Sequence, residues 1–152
     1  MAIRADFTLY SPGGRLAAVA EVKKKFRTSE QWATKLRQNL LAYESLSGAD
    51  FFLLVTPDRL YVWKKKGKAL KAVRPDFVVN AKTIFAPYFE RAGINPDEVS
   101  GYAFELIVES WLTDLTRLED SQQRSANGKA WLVESGLLAE IKDGRIVSEE
   151  AA

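Results

Sequence analysis

The sequence predicts a mixed α/β domain, with an α+β arrangement as the alternative. Three observations indicate this class. Two short apolar stretches flank Pro12-Gly13-Gly14, as in a β-hairpin. A helix with one apolar face follows, and after it comes the continuous apolar run Phe51–Thr56, which is typical of a strand buried on both faces. Helical patterns dominate the rest of the 152 residues.

The first elements are predicted in the order strand, strand, helix. The hairpin strands are expected at Ile3–Tyr10 and Leu16–Lys24, on either side of the turn. A helix is expected over residues 29–47, because Thr28 followed by Gln31 has the form of a capping box. Its predicted buried face consists of Trp32, Leu36, Leu40, Tyr43 and Ser47.

Further strands and helices are predicted beyond the run at Phe51–Thr56. Leu60–Trp63 is expected to be its partner strand, since Pro57-Asp58 between them favours a turn. Asn80 is expected to cap a short helix that Pro87 interrupts. The longest predicted helix spans Ser100–Leu118, with a buried stripe made of Phe104, Ile107, Val108, Trp111, Leu115 and Leu118.

The end of the chain is predicted to hold a helical turn and a hairpin. The turn is expected at Trp131-Leu132, and the hairpin pairs Leu138–Ile141 with Arg145–Val147 around Asp143-Gly144. Residues 148–152 form a short acidic tail that is expected to fray. The sequence therefore predicts a single domain over residues 1–147.

Composition excludes several kinds of catalytic site. The chain has no cysteine and no histidine, which excludes disulfides, thiolate metal sites, the usual zinc sites and triads with a histidine base. Catalysis would then depend on Asp, Glu, Lys, Tyr or Ser, or on a hard, oxygen-bound metal such as Mg²⁺. No signal-like leader follows Met1, and no stretch is long and apolar enough to cross a bilayer, so a cytoplasmic protein with no membrane partner is expected.

Two acidic residues lie where the hairpin strands end. A two-residue turn at Gly13-Gly14 places Asp6 directly opposite Glu21, and a four-residue loop over Ser11–Gly14 leaves the two as diagonal neighbours on one face. A three-residue loop or a bulge would send the carboxylates to opposite faces. Lys23 shares a face with Glu21, because side chains alternate along a strand.

A divalent cation would explain why Asp6 and Glu21 lie together, since like charges directly across two strands are destabilising. Asp6, Glu21 and the backbone carbonyl of Val22 would form half of an octahedral Mg²⁺ site, which Mn²⁺ could also occupy. Lys23 would then lie within reach of a water molecule and a phosphate group. The alternative is that the pattern arises by chance and that Lys23 only begins a solvated run of lysines.

The stretch resembles the PD-(D/E)xK nuclease superfamily, which has the restriction-endonuclease-like fold. Its signature is an Asp on one strand, Glu-x-Lys on the next antiparallel strand, then a helix and a buried strand. Asp6, Glu21 and Lys23 match, and "FFLLVTPDRLYVW" resembles the following strand with its extension. The resemblance covers about residues 3–63 and implies a mixed sheet with an N-terminal hairpin, flanked by helices, and a metal-dependent endonuclease that hydrolyses DNA phosphodiesters. It also implies that Gln31 or Lys35, on the helix after the motif, supports the site.

The chain departs from the superfamily pattern in three places. One is the two-strand start, which leaves the sheet short, and the hairpin at residues 138–147 is one candidate to extend it. Ala5 precedes Asp6 where proline is common, and no helix precedes Asp6 within this sequence. The helix of residues 100–118 could pack in that position in a permuted arrangement, with Glu105 or Glu109 turned toward the site. Both glutamates could equally face solvent.

The charge distribution favours a polyanionic partner. Residues 1–74 hold 15 Lys and Arg against 6 Asp and Glu, and residues 75–152 hold the remaining 7 against 14. DNA is favoured over RNA as the substrate, and a homodimer or a protein partner could direct targeting. The alternative function is a catalytically inactive module that binds nucleic acid or a protein. The residues expected to contact phosphates are Lys24, Lys25, Arg27, Lys64, Lys65, Lys66 and Lys68.

Overall fold

One mixed β-sheet organises the molecule. A computed structural model describes residues 5–41, 48–64, 73–118 and 130–148, and within them six strands form the sheet in the order β5-β4-β3-β2-β1-β6. β2 and β3 are parallel, and every other neighbouring pair is antiparallel. The strands are β1 (Phe7–Tyr10), β2 (Leu16–Val22), β3 (Phe51–Val55), β4 (Arg59–Lys64), β5 (Phe77–Asn80) and β6 (Arg145–Ser148).

Helices cover both faces of the sheet. Five helices lie within the described ranges, α1 (Glu30–Leu41), α2 (Ala81–Ala92), α3 (Gly101–Thr116), α4 (Ala130–Glu134) and α5 (Leu137–Ile141), with a 3₁₀ turn at Pro96–Glu98. α1 packs on the face that carries Val19, Phe52 and Leu54. The other helices pack on the opposite face, where Phe51 and Leu53 lie. All five residues of β3 are buried, as predicted for a strand covered on both sides.

α1 starts one residue later than the sequence predicts. Ser29 Oγ accepts the backbone N–H of Trp32 at 3.1 Å and therefore caps the helix. The predicted cap, Thr28, is wrong, because its hydroxyl is buried and lies 2.7 Å from the hydroxyl of Tyr61. The predicted continuation of the helix over residues 42–47 lies outside the described residues.

α2 runs through Pro87 without interruption, contrary to the prediction. Proline removes one hydrogen bond, the one to the carbonyl four residues earlier, which belongs to Thr83. Both residues are exposed, so water can satisfy that carbonyl. The predicted cap is confirmed, since the Asn80 side chain accepts the backbone N–H of Lys82 at 3.0 Å.

The predicted C-terminal hairpin is confirmed in its second strand only. Arg145–Val147 lies in β6, but the predicted first strand, Leu138–Ile141, is helical, and β6 pairs antiparallel with β1 instead. Asp143 has a φ of 59°, and its N–H bonds the carbonyl of Thr116 at 2.8 Å. A Cβ at Gly144 would lie 2.0 Å from the Tyr10 carbonyl oxygen, so only glycine allows this approach to β1.

Two boundaries also differ from the sequence predictions. Ser148, predicted to begin a frayed tail, is the last residue of β6. β5 was not predicted, because its four residues are too few to show a clear period. In the part of the chain that the structure describes, no helix is long and apolar enough to cross a membrane.

Candidate functional site

The hairpin register brings Asp6 and Glu21 to neighbouring positions. Ser11 N–H bonds the Arg15 carbonyl at 2.9 Å, which closes a three-residue loop. A bulge follows, because Leu9 pairs with Ala18 while Tyr10 pairs with Leu16. Either irregularity alone would shift the register by one residue and separate the acids, but together they cancel. Phe7 therefore pairs with Ala20, and the next opposed residues toward the strand ends are Asp6 and Glu21.

Asp6 is fixed by a backbone hydrogen bond. Its Oδ2 accepts the N–H of Val22 at 2.7 Å, and Asp6 itself is half-buried. In an antiparallel ladder this N–H points toward the neighbouring strand, here β1. The Asp6 carboxylate therefore lies beside the end of β2, in the position that a backbone carbonyl of β1 would occupy if the ladder continued.

Glu21 is a buried acid with one oxygen unsatisfied. The residue is 6% exposed, and Oε2 has no hydrogen-bond partner among the described residues. Burial, with a smaller contribution from the carboxylate of Asp6, raises the pKa of Glu21 to about 8, although Lys23 opposes this shift. Near neutral pH the Glu21 carboxyl is therefore largely protonated unless a further positive charge joins the site.

Lys23 lies beside Glu21 at the end of β2. Its Nζ is 3.5 Å from Glu21 Oε1, and 45% of its side chain is exposed. The backbone N–H of Lys23 bonds the Val55 carbonyl at 2.9 Å, which ties this residue to the end of β3. One cation that reaches solvent thus stands next to the two carboxyl groups.

The donor atoms at this position fit a hard divalent cation. Glu21 Oε2 is a buried acceptor without a donor, and the Asp6 carboxylate is its neighbour. The Val22 carbonyl points to the same side as the Val22 N–H, toward Asp6. Oxygen donors of these kinds are the ligands that Mg²⁺ and Mn²⁺ accept. The described stretches contain no group of three or more Asp, Glu, His or Cys residues that could hold a metal ion, so two carboxylates are the side-chain donors here.

Gln31 and Lys35, the residues expected to support the site, are exposed on α1. They line a groove of about 870 Å³ together with Gln38 and Arg74. None of the three residues of the motif lines that groove.

The predicted phosphate contacts divide between the two ends of the sheet. Lys24, Lys25 and Arg27 are exposed and follow β2, at the same end as Glu21. Lys64 pairs with Phe51 at the start of β3, so the length of that strand, roughly 13 Å at 3.3 Å per residue, separates it from this group. Lys64 therefore lies at the opposite end of the sheet from Lys24, Lys25 and Arg27. Lys65, Lys66 and Lys68 lie outside the described residues.

The layers of the fold also place Glu105, Glu109 and Trp63. Both glutamates lie on α3, whose buried residues belong to the core on the face opposite α1. Trp63 is 1% exposed and donates its ring N–H to the Val73 carbonyl at 2.7 Å, so it is a core residue.

Sequence reasoning missed Arg59 and Lys82 at this end of the sheet. Arg59 begins β4, directly after the turn that follows β3, and Lys82 follows shortly after the last residue of β5. Both are exposed. The signal was the Pro57-Asp58 turn, because the strand after it must start at the end where β2 and β3 finish.

No protein family, curated protein or solved structure was found to match this chain.

Proposed function

We propose that this chain is a metal-dependent nuclease of the PD-(D/E)xK type that hydrolyses DNA phosphodiesters. The observation that carries the proposal is the side-by-side position of Asp6 and Glu21, with Lys23 Nζ at 3.5 Å from Glu21. Two buried or half-buried acids in contact are destabilising unless a positive charge joins them. Their position at the open end of a sheet, next to exposed lysines, suits a negatively charged substrate.

The order of the elements supports a restriction-endonuclease-like fold. An antiparallel hairpin carries the two acids, α1 follows it, and β3 then pairs parallel to β2. This is the succession that the superfamily signature requires. α3 covers the face opposite α1, as expected if it replaces the helix that precedes the motif in other members.

Each residue of the site has a proposed role. Asp6, Glu21 and the carbonyl of Val22 would hold Mg²⁺ or Mn²⁺, and a bound divalent ion supplies a Lewis acid that favours ionisation of water near neutral pH. The Asp6–Val22 hydrogen bond keeps the first carboxylate in position. Lys23 orients the attacking water and stabilises negative charge that develops on the phosphate, since its ammonium group reaches solvent beside the carboxylates.

A second candidate is a catalytically inactive module of the same fold that binds nucleic acid. It is favoured by the small number of donors, because the described residues place only two carboxylates together. In this case Lys23 would serve only to offset the charge of Glu21.

Incubation with a linear or supercoiled DNA and either Mg²⁺ or Mn²⁺ separates the two candidates. The nuclease proposal expects metal-dependent cleavage that is lost on addition of EDTA and absent in Lys23→Ala. Binding of DNA without cleavage by the wild-type protein, with both metals, would favour the inactive module.

A further inference from the structure

Exposed cations follow one end of the sheet, from the proposed site toward β5. At this end of the sheet lie the last residue of β2, the turn from β3 to β4, the first residue of β4 and the last residue of β5. The side chains that lie along it beyond Lys23 are exposed, and they are Lys24, Lys25, Arg27, Arg59 and Lys82. Neighbouring strands are about 4.8 Å apart, so the path from β2 to β5 is about 14 Å long.

The charges on this path are not neutralised by acids. Among the described residues, Lys24, Arg27, Arg59 and Lys82 form no ion pair, whereas Arg15 pairs with Asp50 at 2.6 Å at the other end of the sheet. Solvated lysines and arginines without partners are available to a polyanion at little cost. Successive phosphates of a DNA strand lie farther apart than the roughly 3.4 Å that each adds along the helix axis, so a backbone that follows a path of about 14 Å places a few phosphates on it.

Backbone contacts order this path. Arg27 has a φ of 55°, in the left-handed region that arginine rarely adopts. Its N–H donates to Asp58 Oδ2 at 3.1 Å, while the hydroxyl of Thr56 donates to Asp58 Oδ1 at 3.2 Å. Asp58, the acid within the path, is therefore held by the Arg27 N–H, and its second oxygen shares the single Thr56 hydroxyl hydrogen with the Arg59 carbonyl, which lies 3.0 Å from that hydroxyl. These hydrogen bonds attach the segment after β2 to the turn before β4. They also keep Arg27, an exposed cation, in an unfavourable backbone conformation.

The far end of the path is a shallow depression of about 400 Å³. Arg59, Asn80 and Lys82 line it, together with Asp58, Val78 and Val79. The Asn80 side-chain oxygen is used as the cap of α2. Arg59 and Lys82 supply the positive charge of this depression, beside the carboxylate of Asp58. Val78, 39% exposed, provides an apolar patch that can contact a sugar.

We propose that the DNA backbone runs along this end of the sheet, and that Arg59 and Lys82 bind phosphates a few nucleotides from the bond facing Lys23. The inference rests on the proposed function and names a contact surface that the motif does not contain. Because these contacts are made to phosphates, they bind without sequence preference and weaken as salt increases.

Binding of a 20-base-pair duplex in EDTA, measured by fluorescence anisotropy over a range of salt, tests the path separately from cleavage. Arg59→Gln/Lys82→Gln should weaken binding about tenfold or more at low salt, and should reduce the slope of log K against log salt by about 2. Lys64→Gln/Arg145→Gln removes the same charge from the opposite end of the sheet and should leave the slope near that of wild type. Circular dichroism checks that both variants fold.

Equal effects of the two double variants, or no binding by the wild-type protein, would overturn the inference. If the wild-type protein binds DNA but never cleaves it, and Arg59→Gln/Lys82→Gln shows the expected loss of binding, the path is supported and the nuclease proposal is rejected. If the wild-type protein cleaves DNA and Arg59→Gln/Lys82→Gln binds it as well as wild type does, the nuclease proposal is supported and the path is rejected.

A cross-link checks the position directly, because the chain has no cysteine of its own. Lys82→Cys should form a disulfide with a duplex that carries a thiol tether on a backbone phosphate, and Arg145→Cys should not. Cross-linking of both cysteines to a similar extent would contradict the proposed path.

Discussion

The Oδ2 atom of Asp6 accepts the backbone N–H of Val22 at 2.7 Å, directly beside the buried carboxyl of Glu21. This bond joins the position before β1 to the last residue of β2, and it holds an acidic group where the ladder between these strands would otherwise continue. The bond explains how the hairpin tolerates two acids at one end. Substitutions of Asp6 can also separate the effect of this hydrogen bond from the effect of the carboxylate charge.

Asp6→Asn and Asp6→Ala should differ in stability. The asparagine side chain keeps an oxygen that can accept the Val22 N–H, whereas alanine leaves this donor without its partner. We expect Asp6→Ala to be less stable than Asp6→Asn by about 1 kcal/mol, the usual net value of one hydrogen bond. Urea unfolding of both variants measures the difference. Equal stabilities would show that the hydrogen bond is not important for the hairpin.

Glu21 should make stability depend on pH in the absence of divalent metal. Its pKa is about 8 in the folded protein against 4.5 when unperturbed, so the folded state binds more protons between these values. The free energy of unfolding should therefore fall as pH rises from about 4.5 to about 8 and then level off. A difference of one unit between the pKa values of Glu21 in the folded and unfolded states corresponds to about 1.4 kcal/mol, so the free energy of unfolding should fall by a few kcal/mol in total.

Glu21→Gln removes this fall, because an amide does not titrate. The variant should be more stable than wild type at pH 8 in EDTA. Glu30→Gln, which removes an exposed carboxylate at the start of α1, is the matched control. Urea midpoints measured from pH 4.5 to pH 9 give the comparison, and a wild-type protein whose stability does not fall over this range would refute the assignment.

Lys23→Ala should slow cleavage at least about a hundredfold while the response of the melting temperature to Mg²⁺ persists, because Asp6 and Glu21 remain. Lys24→Ala is the matched control, since it removes the same charge from the next, also exposed, position. That control should affect DNA binding more than the rate of cleavage at saturation. Similar losses of rate in the two variants would indicate a general charge effect rather than a catalytic lysine.

Gly144 is expected to be essential for docking β6 on β1. A methyl group there would meet the Tyr10 carbonyl oxygen at 2.0 Å, so Gly144→Ala should cost more than about 2 kcal/mol. Gly101→Ala is the control, because a Cβ at that position meets nothing within 4 Å. Chemical unfolding of both variants checks the difference, and equal midpoints would contradict the described junction.

The sequence predicts the elements that depend on local patterns. The hairpin strands, β3 with its partner β4, and the cap of α2 at Asn80 follow from turn residues, apolar runs and capping preferences. The strand at Arg145–Val147 was predicted, but its pairing with β1 was not, because that pairing depends on the approach of Gly144 to Tyr10, which is a contact between distant parts of the chain.

The candidate site was predictable as a pattern but not as a geometry. The positions of Asp6, Glu21 and Lys23 can be read from the sequence, yet their register depends on a loop and a bulge whose effects cancel. The place of Lys64 at the other end of the sheet, and of Lys82 at this end, follows from strand order and has no local signal. For Arg59 the Pro57-Asp58 turn before it is a local signal.

The most direct test of the metal site is the melting temperature at pH 8, measured with EDTA and with about 10 mM Mg²⁺, a concentration high enough to fill a weak site, for wild type and Glu21→Gln. Without metal, Glu21→Gln should melt higher, because the buried charge is gone. Mg²⁺ should raise the melting temperature of the wild-type protein and leave that of Glu21→Gln nearly unchanged, since an amide is a poorer ligand for a hard cation. A wild-type melting temperature that does not respond to Mg²⁺, or an equal response in Glu21→Gln, would contradict the assignment of Asp6 and Glu21 as a metal site.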